Sequence, residues 1–383
     1  MVFSKKSLQF ILAALVACLP LFGFANETQD SLNVHTETTA VAHGHEEAHD
    51  LDPNSLEGRK AKIDAFKMHH VLDSHEFSLF ENDGQHFGFP LPIIIWDNGV
   101  HIFSSSKFGH GHAVAESKGN FYRLGHDEKI YKVESATAEL SGDEHHPTNE
   151  KVLDFSITKS VLTLMVVSLL MFLLFRSLAR SFAKNGGISA GFGRLFEPIV
   201  LYIRDEIAIP NIGEKHYKRY MSYLLTIFFF VWFLNMFGLT PLGINVTGNI
   251  AITAGLAIIT ALITNFTANK NYWGHIFWMP GVPTPMKIIL APIELLGVII
   301  KPFSLMIRLY ANIFAGHVVL MSLIALIFLF QSWVGGPLSF LLSFALSTIE
   351  ILVALLQAYI FTMLSALYFG SAVAEHHHDD AHH

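Results

Sequence analysis

The sequence predicts an all-α polytopic membrane protein with about five membrane helices and a small N-terminal module that contains β-strands. Hydrophobic residues make up 51% of the 383 residues and charged residues only 15%. The apolar residues cluster after about position 157, in runs long enough to cross a hydrocarbon layer of roughly 30 Å. Before that position, short strand-like segments alternate with turn residues. The net charge of −7 argues against a nucleic-acid partner.

Residues 1–25 have the pattern of a secretory signal peptide. Two lysines precede an apolar run, and the small residues Gly23 and Ala25 stand at the positions that a signal peptidase reads. Two other interpretations stay open. The only cysteine, Cys18, lies in a pattern that resembles a lipoprotein cleavage site, and the segment could also remain as an uncleaved first helix.

Residues 26–55 are rich in threonine, acidic residues and histidine, and we expect them to be disordered. They include His45–His49, a literal match to the H-E-x-x-H motif of zinc proteases. That chemistry requires an amphipathic helix, a buried floor and a third ligand, none of which is evident. We interpret the match as chance, while loose binding of transition metals stays open.

Residues 56–155 are predicted to form a small mixed or β-rich module on the exterior side. A short helix is predicted over 56–72. Strands are predicted at 75–80, 92–96, 100–104, 120–124 and 130–133. Asp97-Asn98-Gly99 between two of them is a strong hairpin signal. This module has no visible active site, and its histidines are interpreted as surface residues.

Residues 156–372 are predicted to form the membrane domain. The predicted spans are 158–178, 222–241, 249–268, 286–330 with an interruption at Pro302, and 338–369. The last two exceed one bilayer crossing, so they must tilt or lie partly across the membrane. Residues 373–383 form a histidine-rich tail.

The distribution of lysine and arginine predicts the orientation of the spans. The connection between the first two spans is rich in both, and Lys270 and Lys287 flank the third connection. The loop 242–248 and the turn 331–337 contain neither. The positive-inside rule therefore puts the N-terminus outside and the C-terminus in the cytoplasm, which agrees with a secretory signal. We expect residues 188–207 to form an amphipathic helix on the cytoplasmic surface.

The fourth span carries one arginine, Arg308, inside the segment Lys301–His317. A central arginine in a membrane helix costs roughly 2.5–3.5 kcal/mol on insertion scales, so it should face protein or water and have a partner. Snorkelling to an interface is the alternative, although apolar sequence extends on both sides. Helical spacing predicts that polar and small residues share its face: Glu294, Gly297, Lys301, Ser304, Arg308 and Asn312.

The fifth span has a second stripe at helical spacing, formed by Ser343, Ser347, Glu350, Ala354 and Gln357. Proton relays in membrane proteins are built from ionisable side chains inside the bilayer. Besides Glu350, the predicted spans contain Arg308, Glu294 and His317. A purely structural hydrogen-bonding role for Glu350 stays open.

The residues alone leave two classes of protein, a proton-channel subunit and a secondary transporter. Transporters usually show internal repeats, and we find none in this sequence.

Two segments resemble the signatures of subunit a of F-type ATP synthases. RLYANIFAGH, from Arg308 to His317, resembles the pattern R-L-x-x-N-x-x-A-G, and ILVALLQAYIFTMLSALY carries Gln357 in the second signature. Glu294 stands where the family carries a buried polar group. The resemblance covers roughly 155–372.

This resemblance implies a bacterial inner-membrane stator subunit that conducts protons through two half-channels to and from a c-ring. Its last two helices form a hairpin against that rotor ring. Partners would be the c-ring, b-type peripheral stalk subunits, the remainder of the ATP synthase and the lipid bilayer. Arg308 would separate the half-channels and meet a rotor carboxylate. The residues that would line the proton path are Glu294, Asn312, His317, Glu350 and Gln357. The coupling ion, H⁺ or Na⁺, stays open.

The chain contains no Walker-type G-x-x-x-x-G-K-[ST], so we expect neither ATP binding nor catalysis by this subunit alone, and no cofactor or metal site. It also departs from many relatives, which carry an acid after the A-G of the signature and a histidine seven residues before the glutamine. Here His317 follows Gly316, and Glu350 precedes Gln357. We expect the imidazole and the carboxylate to face each other across spans four and five.

Overall fold

The computed structural model describes residues 73–374. Within that range it leaves out 83–84, 110, 112, 126, 139, 144–145, 185–192, 241–245, 280 and 331–334. Four predictions lie outside the described residues: the signal peptide, the 26–55 segment with its His45–His49 motif, the 56–72 helix and the tail beyond 374.

The N-terminal module consists of small antiparallel sheets. Its strands are β1 (Glu76–Asn82), β2 (Gln85–Pro90), β3 (Pro92–Trp96), β4 (Val100–Ser104), β5 (Ala115–Ser117), β6 (Asn120–Leu124), β7 (Ile130–Val133), β8 (Gly142–Asp143), β9 (His146–Pro147) and β10 (Leu153–Asp154). β1 pairs with β2 and β8 with β9, while the two larger sheets have the orders β10-β3-β4 and β5-β6-β7.

Four of the predicted strands have the bounds expected, and the first begins and ends slightly later, at Glu76–Asn82. The β3–β4 hairpin forms at the predicted turn, where Asn98 and Gly99 have φ of 51° and 145°. The inward side chains of both larger sheets build one core, which includes Ile93, Phe103 and Tyr122. Alternation of apolar and polar residues therefore determines the strands that contribute to this core. The interpretation of the module's histidines as surface residues is wrong for His75 and His101, which are 1% and 3% exposed.

Within the described part of the chain, five long helices follow, and they confirm the predicted spans. They are α1 (Lys159–Lys184), α4 (Tyr217–Gly238), α5 (Ile250–Thr267), α7 (Thr284–Phe330) and α8 (Gly335–Val373). α7 and α8 contain 47 and 39 residues. At about 1.5 Å per residue, both are longer than one bilayer crossing of about 30 Å. The predicted interruption at Pro302 is wrong, because α7 continues through Pro302.

Among the described residues, three shorter helices connect the spans. The expected helix over 188–207 is helical from Gly193 onward, as α2 (Gly193–Tyr202) and a π-helical turn over Ile203–Ala208, and α3 (Ile209–Ile212) continues it. α6 (Lys270–Phe277) was not predicted from the sequence. α3 packs so closely on α8 that a Cβ added at Gly370 would overlap the backbone carbonyl of Asn211.

α4 is the central helix of the membrane domain. In its most apolar stretch 61% of residues are buried, against 6% in α7. Phe229 packs edge-on against Phe175 and Phe196, with ring centroids 5.1 and 5.6 Å apart. Tyr220 stacks on Phe369 of α8 at 4.6 Å. α7 and α8 therefore attach to this core along one side and present much apolar surface outward.

Candidate functional site

The stripe predicted on α8 faces the interior of the domain. Ser343, Glu350, Ala354 and Gln357 are buried, and Ser347 is half-buried. The residues between them, such as Leu352 and Phe344, are among the most exposed of the helix. The helical spacing read from the sequence thus identified the side of α8 that packs against the other helices.

His317 and Glu350 come together at the interface of α7 and α8, with exposures of only 5% and 7%. The Glu350 carboxylate lies against the α7 backbone next to His317, since a Cβ built on Gly316 would stand 2.8 Å from its Oε1. The two side chains do not hydrogen-bond each other directly. Among the described residues, neither His317 Nε2 nor Glu350 Oε2 has a hydrogen-bond partner, and the same is true of Ser343 Oγ.

Buried polar atoms of this kind are normally satisfied by ordered water. These three atoms lie between membrane helices, where lipid tails offer no hydrogen-bond donors or acceptors. The interface therefore contains three buried polar atoms that water molecules can satisfy.

Asn235 of α4 adds an amide that we did not select from the sequence as a site residue. It is 3% exposed, and its Nδ2 donates to the carbonyl of Ala354, between Glu350 and Gln357, at 3.4 Å. Thr247 in turn donates to Asn235 Oδ1 at 2.8 Å. Asn235 could have been selected from the sequence, because it is a single amide within the phenylalanine-rich α4. We call the group Asn235, His317, Ser343, Glu350 and Gln357 the polar seam.

Arg308 lies on the other, open side of α7. It is exposed, as are Ser304 and Asn312, whereas Leu305 and Leu309 form the buried side of the helix. Among the described residues, no carboxylate lies within ion-pair distance of the guanidinium. Its charge does act on Tyr368 of α8. The expected face of α7 is thus only partly covered by the chain: Glu294, Gly297 and Lys301 are half-buried, and the segment around Arg308 is open.

A second polar region lies nearer the beginning of α7. Lys301 and Tyr368 line a narrow cavity of about 20 Å³ together with Asn265 and Tyr272, enough for about one water molecule. The Lys301 ammonium stands 5.9 Å from the centre of the Tyr368 ring. Glu294 interacts electrostatically with Tyr272, which is partly buried.

The two polar regions are separated along α7. Lys301 and His317 are 16 residues apart, or about 24 Å of helix. Arg308 lies between them in the sequence of α7 and faces outward. The structure therefore brings His317, Glu350 and Gln357 into one region and Glu294 into another, and leaves Arg308 and Asn312 on the open face between the two.

Comparison with known proteins assigns a family to this arrangement. Residues 161–370 match the family model described as ATP synthase A chain. The chain is 37% identical over 308 residues to ATP synthase subunit a of Chloroherpeton thalassium, covering 76% of this chain and 90% of the relative. It is 41% identical over 244 residues to that of Myxococcus xanthus, covering 62% of this chain and 80% of the relative.

The chain belongs to the ATP synthase A chain family. It is thus a multi-pass, proton-translocating membrane subunit of an F-type ATP synthase, as the sequence resemblance implied. The match begins in α1 and ends in α8, and it includes the polar seam, the Lys301 cavity and Arg308. Residues 66–155, which include the N-terminal module, match a separate model described only as a domain of unknown function.

Proposed function

We propose that the polar seam and the Lys301 cavity belong to two aqueous half-channels, and that Arg308 separates them at the surface of a rotating c-ring. Protons enter one half-channel, neutralise a rotor carboxylate, travel with the ring and leave through the other. The observation that carries this proposal is the position of Arg308, exposed on α7 between the buried polar seam and the half-buried region around Lys301.

The chemistry of arginine suits this position. A guanidinium stays charged at any working pH, so it repels a proton that would pass directly between the half-channels. It also favours the ionised form of an arriving rotor carboxylate, which releases its proton into the exit path. Small side chains at Ala311 and Ala315, both exposed beside Arg308, allow a rotor helix to approach closely. Asn312, one turn from Arg308, would contact the same rotor surface.

The open apolar faces of α7 and α8 are the surfaces on which we place the rotor and the surrounding lipid. Ile288, Ile299 and Phe303 of α7 and Phe340 and Leu352 of α8 are all more than half exposed. Groups of this size exposed together mark an interaction surface. The c-ring would cover the part around Arg308, and b-type peripheral stalk subunits and lipid would cover other parts.

The charges of the connecting segments give the half-channels a direction. With the N-terminus exterior and the C-terminus cytoplasmic in a bacterial inner membrane, α7 begins at the cytoplasmic side. The polar seam with His317 and Glu350 then serves the exterior half-channel, and Lys301 with Glu294 the cytoplasmic one. A reporter fused after residue 374 should report cytoplasm and one placed within 26–50 the exterior. Finding both ends on the same side would contradict this assignment.

The proposal is tested by Arg308→Ala in the assembled enzyme, reconstituted in vesicles. We expect proton-driven ATP synthesis to disappear while the amount of assembled complex stays normal, and passive proton leak to rise. Arg308→Lys should restore little, because lysine lacks the planar fork and can lose its proton. Arg180→Ala, at an exposed arginine of α1, is the matched control and should retain synthesis. Normal synthesis with Arg308→Ala would refute the proposed mechanism.

A further inference from the structure

The N-terminal module is fastened directly to the beginning of α1. Asp73, which precedes the module, accepts a hydrogen bond from the Thr158 hydroxyl at 2.9 Å and one from the Ser160 N–H at 3.2 Å. The Lys159 N–H donates to the carbonyl of Ser74 at 3.0 Å. Both ends of the module therefore meet at the same point, the N-terminus of the first membrane helix.

A buried histidine lies at this junction. His75 is 1% exposed, and its Nε2 lies 2.7 Å from Asp154 Oδ2. The other oxygen of Asp154 accepts from the Ser156 N–H at 2.8 Å. Among the described residues, His75 Nδ1 has no hydrogen-bond partner although it is out of contact with solvent. A buried nitrogen in this state is normally satisfied by an ordered water molecule.

Glu128 is the nearby acid that connects this histidine to the membrane domain. It lies in the turn between β6 and β7 with φ of 59°, and its Oε2 is out of contact with solvent. Its charge interacts with that of His75 and with that of Lys159, the first residue of α1. Lys159 also interacts electrostatically with His317 of the polar seam. His75, Glu128 and Lys159 thus form a series of ionisable groups where the module meets α1.

The surroundings of Glu128 and His75 shift the pKa of both groups upward. Burial raises the pKa of Glu128 to about 7, opposed by His75 and Lys159 and reinforced by Asp73 and Glu76. Burial lowers the pKa of His75, but Asp154, Glu128 and Asp73 together raise it above its ordinary value. Groups that titrate near the ambient pH transfer protons most readily in both directions. An anchor alone would not need them, since apolar residues fasten domains at least as well as buried charges.

We propose that the N-terminal module is the outer mouth of the exterior half-channel, in which His75, Asp154 and Glu128 take up protons and deliver them past Lys159 to His317. This inference rests on the orientation and half-channels proposed above. The Glu128 carboxylate accepts a proton from the exterior solution, directly or through His75, and becomes a neutral acid. It then releases that proton through water to His317 Nε2, and the carboxylate is regenerated.

The experiment uses the complete ATP synthase in proteoliposomes, driven by a fixed potassium diffusion potential while the pH on the module side is varied. Glu128→Gln keeps the shape of the side chain and removes the titration. We expect proton uptake to fall by about tenfold above pH 7. This is less than the loss of roughly 10² typical of a positioned proton-transfer group, because water carries part of the flux. The inflection of the rate near pH 7 should disappear, which a purely structural role would not cause.

Glu116→Gln is the matched control, because Glu116 is an exposed acid on β5 of the same module. It should leave both the rate and the pH profile unchanged. Glu128→Asp should retain the inflection at a reduced rate, and it decides the question if Glu128→Gln does not assemble. A Glu128→Gln enzyme that matches Glu116→Gln in rate and pH profile overturns this inference. If Arg308→Ala still abolishes synthesis in the same preparation, only the role of the module is wrong, whereas normal synthesis with Arg308→Ala rejects the half-channels themselves.

Discussion

Gly316→Ala tests whether the contact between α7 and the Glu350 carboxylate matters for proton transport. The added Cβ would stand 2.8 Å from Oε1, where ordinary contact begins near 3.4 Å, so the carboxylate must withdraw by about 0.6 Å. Such overlap costs about 1–3 kcal/mol in a packed interior, against a gain of up to about 1 kcal/mol in helix propensity. A displacement of about 1 Å at a reacting group can cost 10²-fold, so we expect proton conduction to fall by about tenfold.

The assay compares passive proton conduction and ATP synthesis in reconstituted vesicles at equal amounts of assembled complex. Gly297→Ala is the matched control on the same helix, because a Cβ added there meets nothing within 4 Å. It should gain the helix propensity without the overlap and keep full conduction. Equal conduction in the two variants would refute the reasoning, since it would mean that the position of the Glu350 carboxylate does not limit the path.

Three further predictions follow from the packing and the charges. His317→Glu should impair proton pumping because it places two carboxylates together, which at about 5 Å repel with about 3 kcal/mol. Glu350→His should impair it as well, because the pair then lacks its carboxylate, and the double exchange should recover part of the activity. A double mutant no better than the worse single mutant contradicts the pairing. Gly370→Ala should destabilise the complex by about 1–3 kcal/mol or more in thermal unfolding, because the overlapping atom is backbone and cannot yield. The folded module raises the pKa of His75 above its ordinary value of 6.5. The pairing of His75 with Asp154 therefore stabilises the module fully below pH 6.5, and this stabilisation is lost as the pH rises through the folded pKa. The lowered pKa of Asp154 stabilises the module above pH 3.8, and this stabilisation is lost as the pH falls through the folded pKa. Hydrogen exchange should therefore find the module most protected between pH 3.8 and 6.5. Asp154→Asn should remove this pH dependence of protection.

The membrane helices could be predicted from sequence because the bilayer imposes a length and a composition on each of them. The β3 and β4 strands were equally visible, since their residues alternate between the core and the surface. β10 was not, because it is only two residues long and forms through pairing with the distant β3. Its existence depends on the tertiary fold rather than on local pattern. β2 pairs with the neighbouring β1, and it was missed although this pairing is local.

The candidate site shows the same division. Helical spacing placed Glu350 and Gln357 on one face, and that face is buried. Spacing could not show that the chain covers Lys301 and leaves Arg308 open, because this depends on how α7 crosses its neighbours. Nor could it show the series from His75 to Lys159, whose members are far apart in sequence and meet only because Asp73 fastens the module to α1.

The outward position of Arg308 also affects how the enzyme is built in the cell. A chain inserted before the proposed c-ring would hold this charged group against acyl chains, which thins the bilayer locally and draws water into it. An order of assembly in which the ring is present first avoids that damage. We expect the newly made chain to be degraded quickly in cells that lack the ring, which a pulse-chase measurement of its half-life would show. A half-life unchanged by loss of the ring would mean that lipid alone accommodates the exposed arginine.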